Sequence, residues 1–81
     1  MSLTLTEIQT AALIARIARL NSLADRALEN NNDAKAERLT DKADALDMAL
    51  NAVQWGNGDA HDIACIAEAL RREIEIGNLA A

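Results

Sequence analysis

An all-α fold, a small three-helix bundle built on a long antiparallel helical hairpin, is predicted for this 81-residue chain by three observations. Proline is absent and only three glycines occur, Gly56, Gly58 and Gly77, so the chain has few points at which a helix must stop. Apolar residues recur at three- and four-residue steps through three long segments. No stretch of useful length alternates with period two, and β-branched residues are sparse. The breaks at Asn30-Asn31-Asn32 and at Trp55-Gly56-Asn57-Gly58-Asp59 divide the chain into helices at about 4–30, 32–55 and 60–76, in a single domain covering 1–81. There is no internal repeat, linker or low-complexity tract.

The first helix is expected to start at Thr4. Thr4 and Glu7 have the spacing of a capping box, in which each side chain binds the other residue's backbone N–H, and Leu3 with Ile8 has the placement of a hydrophobic staple. Leu13, Ile17, Leu20, Ala24 and Ala27 then follow one face, with Ile14 and Leu28 broadening it. The asparagine triplet ends the helix, because asparagine tolerates the left-handed backbone that a helix C-terminus uses.

The second helix should be capped by Asn32, with Asp33 favourable beside the positive end of the helix dipole. Its seam is the most regular in the chain. Ala36, Leu39, Ala43, Leu46, Leu50 and Val53 alternate steps of three and four, the repeat of a coiled-coil contact. A short link between two long helices implies an antiparallel hairpin. Asp59 is the expected N-cap of the third helix, which presents Ile63, Ile66, Ala67, Leu70 and Ile74 on one face and ends at Gly77.

Composition limits both core and function. Half of the chain is apolar, but alanine supplies 18 residues, leucine 11 and isoleucine 7, with Trp55 the single aromatic. Alanine forms helix well and buries little area, so the core rests on few large side chains and gains from a partner or a second copy. The net charge of −5 disfavours direct nucleic-acid binding and attraction to an anionic membrane surface. No apolar run is long enough to cross a membrane, since Arg16 and Arg19 interrupt Ala11–Leu20. The N-terminus lacks the basic start of a secretory signal, and one cysteine makes no intrachain disulfide; both point to the cytoplasm.

Four surface features carry candidate chemistry. Met48 and Trp55, flanked by Ala45 and Ala52, lie opposite the Leu46-Leu50-Val53 seam and make the end of the second helix apolar nearly all round, so both sides need cover. Either the third helix covers them as core, or Met48, Ala52 and Trp55 form a dimer or partner contact, a role for which Met and Trp are well suited. Glu37, Asp41, Asp44 and Asp47 form an acidic face on the same helix. Lys35, Arg38 and Lys42 interleave with it, which points to a solvated, salt-bridged surface; the sharper alternative is a mimic of nucleic-acid phosphates. Arg16, Arg19 and Arg26 form a basic stripe on the first helix, read as solvated or as a contact for an acidic partner or a second copy.

The fourth feature is the line His61, Cys65, Glu68 and Arg72 on the third helix, opposite its apolar face. A His and a Cys one turn apart can reach one metal ion, but a structural zinc site takes four ligands and the chain has no second Cys or His. With few loops to form a pocket and no nucleophile–base set, neither an enzyme nor a cofactor is expected. The resulting expectation is a non-enzymatic protein–protein interaction module, dimeric or bound to a protein partner: a regulator, inhibitor or adaptor of the kind used by bacteria and their phages. The alternative function is an acidic nucleic-acid mimic.

Overall fold

The computed structural model describes residues 4–80 and contains three helices, α1 (Glu7–Glu29), α2 (Asp33–Gln54) and α3 (Ala60–Glu75), with no strand among the described residues. α1 and α2 pair as the antiparallel hairpin, and α3 packs across its open end as the third member of a bundle about 41 Å long.

All three helices start and stop on local hydrogen bonding. The cap of α1 is Thr6 rather than Thr4: the Thr6 side chain accepts from the Gln9 N–H and the Gln9 side chain accepts from the Thr6 N–H. Of two overlapping sequence patterns, Thr4–Glu7 and Thr6–Gln9, the second forms, and the later start leaves Leu5 outside the helix, packed on the core edge. It also places Glu7 in the first turn, where its charge meets the positive end of the helix dipole. The expected staple does not form from Ile8, which is 72% exposed; Leu3 lies outside the described residues. Asn32 and Asp59 cap α2 and α3 as expected, Asp59 in a reciprocal box with Asp62.

The three C-termini share one device. In each, a residue with positive φ (Asn31 at 58°, Gly56 at 77°, Gly77 at 83°) follows the cap, and its N–H together with the next one closes back on the last turn. The bonds run from Asn31 to Leu28 and Asn32 to Ala27, from Gly56 to Val53 and Asn57 to Ala52, and from Gly77 to Ile74 and Asn78 to Glu73. This is the Schellman arrangement, which satisfies carbonyls that a helix end leaves unpaired. Asparagine does at the hairpin tip what glycine does at the other two ends.

Leu13, Leu46, Ala49, Leu50, Val53, Ile66 and Ala69 form the buried cluster, with Leu5, Ile17, Ile63, Cys65 and Leu70 packed on its edges. Of the seam read from the sequence, Ala36, Ala43, Leu46, Leu50 and Val53 are buried; Leu39 is half-buried, and Ala49 joins the buried side. Two other faces are rotated from expectation. Ile14 and Leu28 are 56% and 55% exposed instead of broadening the α1 stripe. On α3 the buried line is Ile66, Ala69 and Glu73, while Ala67 and Ile74 face outward. Small Ala69 lets α3 approach the hairpin closely, and the turn that buries it carries Glu73 inward.

Candidate functional site

The inward turn of α3 creates the one buried charge among the described residues. Glu73 is fully buried, and its carboxylate accepts from Arg16 Nη1 at 3.3 Å and Arg19 Nη2 at 2.6 Å. Arg16 and Arg19 stand three residues apart on one side of α1, the spacing that brings two side chains to one point. Their side chains remain 24% and 35% exposed, so the guanidinium groups keep partial hydration while Glu73 depends on them entirely. The basic stripe is therefore divided. Arg16 and Arg19 fasten α3 to α1 and are not free for an acidic partner; Arg26 is exposed and forms no described ion pair.

The line on α3 is also divided. His61 is exposed, but Cys65 is half-buried against the core edge instead of lying on the outer face. Burial, with the Asp62 carboxylate nearby, raises the Cys65 thiol above its ordinary range, which keeps it protonated and weakly nucleophilic. Glu68 is engaged by Arg71 and Arg72, which also reach Glu75, and these bonds hold the Glu68 carboxyl below its usual range. No group of three metal-ligating side chains converges among the described residues.

α3 packs against the Leu46-Ala49-Leu50-Val53 side of α2 and leaves the opposite side open, so Met48 is 70% and Trp55 81% exposed. Ala45 is exposed and Ala52 half-buried beside them. The acidic residues continue this same surface. Glu37, Asp41, Asp44, Met48, Asn51 and Trp55 follow steps of four and three along the outside of α2, and all six are exposed. At 1.5 Å per residue the stripe is about 27 Å long, acidic toward the hairpin tip and apolar toward the open end. Asp47 lies on its flank.

The salt-bridged acidic face expected from the sequence does not form. The described ion pairs are those of Glu73 with Arg16 and Arg19 and those of Glu68 and Glu75 with Arg71 and Arg72; none involves α2. The helical repeat explains this. Lys35, Arg38 and Lys42 fall on the flank nearer the buried seam, whereas Glu37, Asp41 and Asp44 point away from it.

The described surface also carries two open grooves. One, about 620 Å³, runs between the start of α1 and α3 and is lined by Ile8, Leu70, Ile74 and Leu79 among others. The second, about 630 Å³, lies where α3 ends over the hairpin and includes Leu20, Lys42, Cys65 and Ile76. The second also contains Glu68 and Glu75 beside Cys65, but both carboxylates are engaged by Arg71 and Arg72. No described helix is long and apolar enough to cross a membrane. No protein-family model, curated protein or solved structure matches this chain.

Proposed function

We propose that this chain is a non-catalytic protein-interaction module, a small regulator, inhibitor or adaptor, that binds through the outer face of α2 with Met48, Ala52 and Trp55 at the contact. The exposure of Trp55 carries the reading. The only aromatic side chain in the sequence stands on the surface beside exposed Met48, although the chain is otherwise short of large apolar groups for its own core. Covering a side chain of that size removes a large apolar area from water, and a protein partner is the means by which a helix face does so. A second copy of the chain is one such partner, related by a two-fold axis.

The test is affinity capture from the native host with the parent and with Met48→Glu/Trp55→Ala, alongside sedimentation of both proteins at micromolar concentration. Both substitutions are on the surface, so the variant keeps the helical content of the parent. A captured protein that the variant loses supports the reading, as does a dimer that the variant converts to monomer. A monomeric parent whose captured proteins are unchanged in the variant overturns it.

A second reading is favoured by the unpaired acids: Glu37, Asp41, Asp44 and Asp47 stand in for phosphates and block a nucleic-acid-binding protein. It predicts that DNA or RNA competes for the partner and that Met48→Glu/Trp55→Ala leaves binding intact.

A further inference from the structure

The stripe on α2 is one surface with two chemistries, and together they specify what fits it. Its open-end half offers Met48 and Trp55, two turns apart, as anchors. Its tip half offers Asp44, Asp41 and Glu37 over the next three turns, all exposed and without an ion pair among the described residues. The second half of α3 treats carboxylates differently: Glu68, Glu73 and Glu75 are all matched to arginines within the fold. On this face of α2 a run of unanswered carboxylates thus adjoins two of the most exposed large apolar side chains, Met48 at 70% and Trp55 at 81%.

A second copy laid stripe against stripe brings no cation to Asp41 and Asp44, because the stripe holds none. A membrane or nucleic acid brings more negative charge. We propose that α2 docks a basic amphipathic α-helix of another protein, which sets apolar residues on Met48 and Trp55 and lysines or arginines along Asp44, Asp41 and Glu37. Two helices side by side match over the full length of the stripe because both repeat every three to four residues. The apolar end supplies affinity and the charged end fixes direction, since reversing the incoming helix places its cations on Trp55. This inference rests on the reading of α2 as the docking face and adds the chemistry and polarity of the partner.

The experiment uses the full chain and a labelled synthetic helical peptide with two leucines two turns apart and arginines on the same face over the next three turns. Binding is read by anisotropy of the label, and the site by emission of Trp55, the only tryptophan. Comparison probes are the same peptide with glutamine for arginine and one with the order of the two halves reversed. The expected result is saturable binding with a blue shift of Trp55, weakening several-fold as salt rises from about 0.01 to 0.15 M and the Debye length contracts from about 30 to 8 Å. Asp41→Asn/Asp44→Asn should weaken it by about two- to thirtyfold, the range for two exposed charge pairs. Met48→Glu/Trp55→Ala should abolish it.

If the glutamine peptide binds as well as the arginine peptide, the charge assignment is overturned while α2 stands as a docking face. If the reversed peptide binds equally, the polarity is overturned. If the arginine peptide binds Met48→Glu/Trp55→Ala undiminished, or does not bind the parent, the inference fails as a whole, and the capture comparison still decides whether α2 binds another protein.

Discussion

The two ends of the hairpin are held together by different means. At the open end, α1 and α2 face each other with Leu13, Leu46, Leu50 and Val53, and α3 adds Ile66 and Ala69. Toward the tip the buried residues are Ala24, Ala27, Ala36 and Ala43, with Leu20 as the one buried large side chain among the described residues. Helix length accounts for part of this. α1 has 23 residues and α3 has 16, or about 34 and 24 Å at 1.5 Å per residue, so α3 cannot cover both ends. Side-chain size accounts for the rest. Two helices that meet through alanine approach closely enough to bury each other, whereas leucine and isoleucine hold helices apart and need a third to close the space.

Truncation at the open end should have the largest effect. Leu46→Ala or Leu50→Ala should cost about 2–5 kcal/mol, a large share of the stability of a domain this size. At the tip the damaging change is enlargement: Ala43→Leu should force the helices apart at about 1–3 kcal/mol. Chemical denaturation of the three variants checks both. Leucine variants that melt like the parent would mean that the buried seam of α2 is misplaced, and a stabilising Ala43→Leu would remove the distinction between the ends.

The Glu73 contact lies between the two ends, at the middle of α1, and should show an asymmetry of its own. Arg19→Met leaves a fully buried carboxylate with only the longer contact to Arg16, so it should destabilise by about 3 kcal/mol. Glu73→Met leaves two arginines that already reach water and should cost less. For α3 the expectation is that the buried charge fixes its placement more than it adds net stability, so the second variant should loosen α3 more than it lowers the melting temperature. Thermal melts of the pair, with hydrogen exchange along α3, distinguish the two effects.

A smaller effect is expected at the start of α3. The backbone N–H of Asp62 holds the Asp59 carboxyl below its ordinary value of 3.8, so the folded state favours the charged form. That contribution is complete above the unfolded value and is lost as pH falls through the lower folded one. Acid titration should therefore weaken α3 below about pH 4, and Asp59→Asn, which still caps, should reduce the dependence. An α3 equally protected at pH 5 and pH 2.5 would contradict this.

Periodicity and capping chemistry reveal most of this architecture, because both are local. The α2 seam, the Asn32 and Asp59 caps and the stops at Asn31, Gly56 and Gly77 each depend on residues within one or two turns. At the start of α1 two capping patterns overlap, and the one that forms leaves Leu5 outside the helix, where it packs on the core edge. The candidate surface was legible in parts: Met48, Trp55 and the acids can be picked out by spacing. Their union into one exposed stripe cannot, since it depends on which side of α2 meets α3.

That dependence marks the division for the whole molecule. The sequence by itself determined three helices, their ends and the hairpin, through hydrogen bonds and apolar steps within a few residues. Only the tertiary structure decided how α3 is rotated about its axis. Ile63, Ile66, Leu70 and Ile74 allow more than one inward face, and nothing local prefers the one that includes a glutamate. Arg16 and Arg19, more than fifty residues earlier in the chain, make that face possible by answering the charge of Glu73. The same choice of packing leaves Trp55 uncovered.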